Sequence, residues 1–393
     1  MKRLLHWINN LNTVFWSRVV QSTYIDVKSL CVFRIIVGVF LLCIYSPGFS
    51  WIANSPQAFF NPPFPSIASF FHSFPGREFF LIIDLILLIT AVFITLGIKA
   101  RISTLIYAFT SIIGFNFQSS FGKIDHTILL YAMLFCMAFS GWGEFLAVVP
   151  DKAVNINSTA KSLSLLSVLI CFGFFSAAFL KTVFWVNLDF NSTGTGKWFY
   201  SQFYIVERQQ LFLAPFIKYL PFWTFKIMDF IAVCFELSPL LFLFISRKAW
   251  RIWILTACVF HVFNTLMLNI NFIFVAATYL AFANFTGWFK KVRYLSTLKS
   301  VKALIFACLS LIVIIKVYYS FNSIIATNIF WPDNLTINNL CFALLIWVIV
   351  IMILFKSTFK RTATDINKYV GMEDMTLPQS SVINNTQFGK SIK

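Results

Sequence analysis

Apolar runs long enough to cross a lipid bilayer recur along this chain, and they exclude most soluble folds. Between residues 28 and 356, such runs follow one another with only short polar breaks. An α-helix needs about 20 predominantly apolar residues to span the hydrocarbon core. The chain contains 59% hydrophobic and only 11% charged residues, which makes it far more apolar than a soluble domain. The sequence therefore predicts an all-α, polytopic membrane helical bundle.

Ten runs of spanning length can be separated by their polar breaks. The predicted spans cover residues 28–47, 79–97, 101–120, 124–147, 162–184, 224–245, 250–268, 271–289, 301–319 and 337–356. The break between the seventh and eighth spans, at Asn269-Ile270-Asn271, is either a tight outer turn or a kink within one long helix.

Positive charge is distributed unevenly about these spans. The net charge of +17 comes from loops beside apolar runs rather than from one folded face, so we expect no nucleic-acid partner. With a cytoplasmic N-terminus, 22 of the 31 Lys and Arg residues fall in inner segments and six in outer loops. Basic residues concentrate in cytoplasmic loops. This asymmetry predicts a multi-pass protein of the cell membrane with both termini in the cytoplasm.

The two ends of the chain differ from the spans between them. In residues 1–27, apolar residues recur at helical spacing from Leu4 to Val19, with tryptophan and basic residues nearby. This pattern predicts an interfacial amphipathic helix or, equally well, a soluble helix packed on the cytoplasmic loops. Residues 357–393 are polar, charged and rich in Asn, Ser and Thr, so we expect a disordered cytoplasmic tail.

Several ionisable residues lie within the predicted spans. A charged side chain at the centre of a membrane helix costs about 2.5–3.5 kcal/mol on insertion scales, so each one needs a reason to be there. On the predicted topology, five of them lie at a similar depth toward the outer side, each on a different helix: Asp84, His126, Lys181, Glu236 and His261. We therefore look for chemistry at the outer side of the membrane.

Lys181 closes an apolar segment in which Ser176 and Ala177 permit close helix contact. An apolar environment favours the neutral amine, which can act as a general base. The alternative is structural: the span ends a few residues later, so the side chain could extend to the interface. The residues around Lys181 leave both interpretations open.

The other candidates carry the same two interpretations. His261 and Asn264 share a helix face, where the histidine could relay protons and the asparagine could orient it or bind a substrate carbonyl; the alternative for His261 is a hydrogen-bonded packing residue. His126, at the start of the fourth span, has the same alternatives. Glu236 either pairs with Lys181 or stays protonated.

Two further cations are assigned structural roles. Arg34, on the inner side of the first span, is expected to cap carbonyls or pair between helices, with lipid phosphate as the alternative partner. Lys316, close to an outer helix end, is expected to extend to the interface.

The eight cysteines lie in or beside apolar runs without a CxxC motif, so we expect neither a disulfide framework nor a metal site. Soluble catalytic motifs such as the Walker A loop are absent from the sequence.

Some of these residues occur in a distinctive order: Arg34 before Gly38, His126 opening a span, Lys181 followed by Trp185, Glu236, and His261 followed by Asn264. This ordered set resembles the HTTM (horizontally transferred transmembrane domain) family, bacterial relatives of the membrane domain of vitamin K-dependent gamma-carboxylase. The resemblance covers about residues 28–290, which we assign to an HTTM-like domain, followed by C-terminal transmembrane helices in 291–356.

The resemblance implies a membrane enzyme in which Lys181 is the general base, with His126 and His261 as supporting catalytic residues. Its cofactor would be a reduced, vitamin K-like quinone. Substrate-binding roles are then expected for Glu236, Asn264, Asp84 and Trp185. Besides membrane lipids, the partners would be a lipid quinone or a secreted peptide.

Two other functions remain open from the sequence. One is a non-enzymatic membrane component for the maturation or export of a secreted peptide, in which the ionisable residues only tie helices together. The other is a secondary transporter, which would require discontinuous helices near the midplane and a polar path to both faces.

Overall fold

The fold is helical throughout the part of the chain that the computed structural model describes, which comprises residues 2–122, 127–189, 191–208, 212–326, 328–331 and 337–359. These residues form no named strand, and Ile98 and Val149 make an isolated β-bridge. The first eight α-helices are α1 (Lys2–Thr23), α2 (Val27–Val39), α3 (Arg77–Leu96), α4 (Ala100–Gln118), α5 (Ile128–Ala138), α6 (Ile156–Phe184), α7 (Gly194–Tyr200) and α8 (Ala214–Ile217). They are followed by α9 (Phe222–Leu237), α10 (Pro239–Ile245), α11 (Arg247–Leu268), α12 (Ala276–Leu280), α13 (Thr286–Leu295), α14 (Lys299–Phe321) and α15 (Ile337–Phe359).

Six helices of the described residues are long and apolar enough to cross a membrane: α2 with its π-helical extension to Ile44, α3, α6, α11, α14 and α15. A seventh is obtained if α9 and α10, which are bent by 47° at a short break, form one crossing. The chain thus has the all-α, multi-pass character of a membrane protein, although these helices do not confirm the count of ten.

Two of the predicted spans correspond to α4 and α5, which fall outside this set. The described part of α5 has only 11 residues, and residues 123–126 before it lie outside the described part. Polar residues lower the apolarity of α4, and two of their side chains bond to carbonyls of their own helix. Thr104 Oγ1 donates to the Ala100 carbonyl and Asn116 Nδ2 to the Ile112 carbonyl, each at 2.6 Å. Such bonds satisfy polar groups where water is excluded.

The predicted span 271–289 is not one helix, and here the expectation of a regular span is wrong. The chain forms a 3₁₀ turn at Ile273–Val275, the short α12, and then the separate α13. Residues 273–283 are all buried within the protein. Irregular backbone is tolerated at membrane depth only where protein covers it, and the surrounding helices provide that cover.

This irregular segment runs along the whole of α2. At its start, the Phe274 ring lies 5.8 Å from the ring of Tyr45, just beyond the π-helical end of α2. At its other end, the Phe285 amide donates to Ser29 Oγ at 2.7 Å, near the beginning of α2. The segment therefore passes from one end of the bundle to the other.

The chain reverses direction at the same end of the bundle in two places. Residues 97–99 connect α3 to α4, and residues 139–155 connect α5 to α6. The two connections are joined, since the Val149 amide donates to the Gly97 carbonyl at 3.2 Å. We call this end basal, and the end at which α6 finishes with Phe184 apical.

The N-terminal helix α1 is amphipathic in its contacts. Trp7, Leu11 and Val14 are exposed. The second half of the helix also packs on the bundle: Thr23 Oγ1 lies 3.3 Å from Ser164 Oγ of α6, and the Phe15 ring lies 5.2 Å from that of Phe244 in α10. The exposed apolar side chains are the kind of surface that lies at a membrane interface.

Candidate functional site

The site is centred on an ion pair between α6 and α9. Lys181 Nζ lies 2.5 Å from Glu236 Oε1, and the pair joins residues 55 positions apart in the sequence. The glutamate side chain is 4% exposed, whereas that of the lysine is 26% exposed. Of the two alternatives for Glu236, the structure therefore has pairing with Lys181. The lysine side chain is thus partly accessible from outside the protein.

Trp185 completes this arrangement at the apical end of α6. Its backbone amide donates to the Lys181 carbonyl at 2.7 Å and so caps the helix. Lys181 Nζ lies 5.2 Å from the centre of the indole ring, within the range of a cation–π contact. The lysine thus has a carboxylate on one side and an aromatic face on another.

A polar stripe on α9 supports the pair. Lys226, Asp229 and Glu236 recur at helical spacing, with apolar Val233 between them, and all four side chains are buried. Residues three or four apart lie on the same helix face. This face is turned toward α6 and the connection that follows it.

Lys226 is fully buried, and its ammonium group has three oxygen partners. Nζ donates to the Trp185 carbonyl at 3.0 Å, to Asn187 Oδ1 at 2.6 Å and to the Ser192 carbonyl at 2.9 Å. These three bonds use all the donors of a lysine ammonium. Lys226 therefore fixes the connection directly after α6, and with it the position of Trp185.

Asp229 anchors the next helix. Its two carboxylate oxygens accept from the backbone amides of Gly194 at 2.9 Å and Thr195 at 2.7 Å, at the start of α7. A carboxylate is stabilising at a helix N-terminus, where backbone amides lack partners. Gly194 lies so close to Trp185 that a Cβ there would overlap the indole.

Sequence reasoning missed Lys226 and Asp229. Both lie in the first turns of the predicted span 224–245, and neither was singled out there. The spacing of Lys226, Asp229 and Glu236 along one helical face would have identified them.

The Lys181–Glu236 pair lies beside a break in a helix. Glu236 is in the last turn of α9, and Ser238 and Pro239 follow directly, at the 47° bend into α10. The second carboxylate oxygen of Glu236, Oε2, is buried and has no hydrogen-bond partner among the described residues. A buried oxygen of this kind can accept a hydrogen bond from a bound molecule.

His261 lies on α11 within an aromatic cluster. Its Nε2 is 2.8 Å from the Tyr279 hydroxyl, and Tyr279 is fully buried on the irregular segment. The Trp347 ring of α15 stacks on the imidazole with 5.2 Å between the ring centres. Asn264, one turn later, is half-buried, and its backbone carbonyl accepts from the Ile270 amide at 3.4 Å. These contacts join α11 and α15 to the irregular segment.

Asp84 binds the connection after α2. Its carboxylate accepts from the backbone amides of Phe49 at 2.6 Å and Ser50 at 3.1 Å. Nearby, Lys316 of α14 is 7% exposed and donates to the Ser46 carbonyl at 2.9 Å. The expectation that Lys316 extends to the interface is therefore wrong, because its ammonium is buried in the bundle and donates to a backbone carbonyl there.

The remaining predicted residues lie apart from the pair or outside the described structure. Arg34 is fully buried in α2, and its guanidinium donates to the Leu146 carbonyl in the basal connection. His126 lies outside the described residues, as does residue 360 onward in the predicted tail. Among the described residues, no group of three or more His, Cys, Asp or Glu could hold a metal ion.

Comparisons with family models, curated proteins and solved structures found no match for this chain.

Proposed function

We propose that this protein is a membrane-integral enzyme in which Lys181, paired with Glu236, is the general base. Its substrate would be a quinone-like lipid or a translocated peptide, as the resemblance to the HTTM family and to vitamin K-dependent gamma-carboxylase implies. One observation carries the proposal: a partly exposed lysine lies 2.5 Å from a buried carboxylate within the apolar helices. Such intramembrane charges are expensive and mark functional sites by default.

The pair can perform proton transfer without a second base. For Lys181 to act as the base, the proton shared by the pair would have to reside on Glu236, whose Oε1 lies 2.5 Å from Nζ. The amine then accepts a proton from the substrate, and the ammonium formed stabilises the resulting anion. The aromatic face of Trp185 suits a flat ring such as that of a quinone. His261 and His126 retain a supporting role in the proposal.

We also propose ten membrane crossings, with both termini in the cytoplasm of a bacterial cell and the Lys181 site on the outer side. The irregular segment 273–285 would supply one crossing, in agreement with its passage along α2. The basal end carries Lys99, Arg101 and Lys152, and basic loops favour the cytoplasmic side. This orientation directs the apical end of α6 outward.

A second candidate is a non-enzymatic component for the maturation or export of a secreted peptide. It is favoured by the partners of Asp84, Lys226 and His261, which all belong to the protein itself. In that case the Lys181–Glu236 pair would likewise only tie α6 to α9.

The variant Lys181→Arg separates the two candidates. Arginine keeps the positive charge and the ion pair but cannot be deprotonated in a protein, so it cannot be a general base. The purified protein in liposomes is given a reduced naphthoquinone lipid in aerated buffer, and its conversion is followed by mass spectrometry together with the co-purifying lipids and peptides. The matched control is Lys218→Arg, because Lys218 is an exposed lysine of the connection 185–221.

The enzymatic proposal expects conversion by the wild type and by Lys218→Arg, and its loss in Lys181→Arg while the protein stays folded. If the wild type converts nothing and carries only ordinary phospholipid, the non-enzymatic function is favoured. Equal conversion by the wild type and Lys181→Arg would show that another group is the base.

A further inference from the structure

A cavity of about 240 Å³ lies at the basal end of the bundle, away from the Lys181 site. It opens between the beginning of α4 and the connection 139–155. Its charged lining residues are Lys99, Arg101 and Lys152, opposed by one carboxylate, Asp151. The balance of charge in the lining is therefore positive, as an anion requires.

Backbone contacts hold the walls of this cavity in place. The Lys99 amide donates to the Val149 carbonyl at 3.0 Å, and the Asp151 amide donates to the Gly143 carbonyl at 3.1 Å. Asp151 Oδ2 accepts from the backbone amide of Arg101 at 2.9 Å, so the carboxylate is held at the start of α4. The backbone positions of the charged residues are thus set by the fold.

Trp142 forms part of the inner wall of the cavity and is only 1% exposed. Its indole Nε1–H is buried and has no hydrogen-bond partner among the described residues.

Exposed apolar side chains surround the cationic opening. Ile102 is 57% exposed, Phe139 42% and Val148 66%. The Arg101 guanidinium lies 4.6 Å from the centre of the Phe139 ring, so the cation and the apolar surface adjoin. A soluble phosphate would make no favourable contact with this apolar rim, whereas the acyl chains of a lipid can pack on it.

We propose that this basal cavity binds the phosphate headgroup of an anionic phospholipid, with Arg101, Lys99 and Lys152 at the phosphate. Arginine and lysine form charge-assisted hydrogen bonds to phosphate, and anionic lipids attract basic groups at the membrane surface. The acyl chains would pack over Ile102 and Phe139.

Native mass spectrometry of the full-length protein tests this proposal. Protein in detergent is mixed with phosphatidylglycerol or phosphatidylcholine of equal chain length, and the bound fraction is measured. We expect preferential retention of phosphatidylglycerol, reduced about tenfold in Arg101→Gln and in Lys152→Gln. Lys291→Gln, an exposed cation of α13, should bind like the wild type.

Competition with sn-glycerol 3-phosphate distinguishes a lipid from a soluble phosphate. We expect it to displace phosphatidylglycerol only at a large excess, because it lacks acyl chains. Displacement at equal concentration would overturn the lipid as the ligand, and equal retention of both lipids by the wild type would overturn the site itself. Circular dichroism and gel filtration of each variant ensure that a loss of binding is not a loss of fold; a misfolded Arg101→Gln leaves Lys152→Gln to decide.

Discussion

The ammonium of Lys226 donates to the backbone carbonyl of Trp185 across 3.0 Å, so a cation at the start of α9 fixes the end of α6. Lys181 lies one helical turn before Trp185, and its partner Glu236 lies further along the same α9. Two cation contacts therefore join the same two helices, one structural and fully buried, the other partly exposed.

Removing the structural cation should loosen this junction. In Lys226→Met the side chain keeps its length, but Asn187 and two backbone carbonyls lose a buried donor. Leaving buried acceptors unpaired costs about 1–3 kcal/mol. We expect a lower thermal unfolding temperature in detergent and faster amide hydrogen exchange over residues 185–197.

Lys218→Met is the matched control, since Lys218 is exposed on the connection before α9. Exposed substitutions of this kind usually change stability by less than about 0.5 kcal/mol. Equal unfolding temperatures for the two variants would contradict the structural role of Lys226.

The contact between Gly194 and Trp185 gives a second prediction. A methyl group at Gly194 would overlap the indole, so Gly194→Ala should displace the ring from Lys181. Overpacking of this kind costs about 1–3 kcal/mol. We expect reduced stability and a shift in tryptophan fluorescence.

In the control Gly287→Ala, nothing lies within 4 Å of the added methyl, so stability should be unchanged or slightly raised. Equal effects at both glycines would refute the close contact.

The sequence predicted the helical membrane character because composition and the length of apolar runs decide it. It also placed Lys181 and Glu236 at a similar depth, which made their pairing one of two alternatives. It did not predict the break of 271–289 into irregular structure, because apolarity alone does not distinguish a lipid-facing helix from a buried segment. Asp84 illustrates the same limit. The sequence does not show whether a carboxylate in a membrane span binds backbone amides of its own chain, as Asp84 does, or a ligand.

The hydrogen bond between His261 and Tyr279 gives a third prediction. Tyr279→Phe removes only the hydroxyl and leaves His261 Nε2 buried without that partner, at a cost of about 1–3 kcal/mol. We expect a lower unfolding temperature, measured in detergent against Tyr219→Phe, whose side chain is 75% exposed. If Tyr279→Phe unfolds like the wild type, the hydroxyl does not stabilise the cluster.

The irregular segment 273–285 gives a prediction about topology. Between Lys218 and Ser296 lie α9 with α10, then α11, and then this segment. Three crossings would place Lys218 and Ser296 on opposite faces of the membrane, whereas two would place them on the same face. The cysteine variants Lys218→Cys and Ser296→Cys are made in a chain whose exposed Cys234, Cys308 and Cys341 have been replaced by serine.

A membrane-impermeant maleimide applied to intact cells should label Lys218→Cys, while Ser296→Cys should react only after the cells are opened. Ser323→Cys, beyond α14, should behave like Lys218→Cys because one further crossing separates it from Ser296. Labelling of both Lys218→Cys and Ser296→Cys in intact cells would mean that 273–285 returns to the face from which it came. Burial of this segment among α2, α11 and α15 would then stabilise the fold without indicating a membrane crossing, because covered irregular backbone is tolerated whether or not the segment crosses.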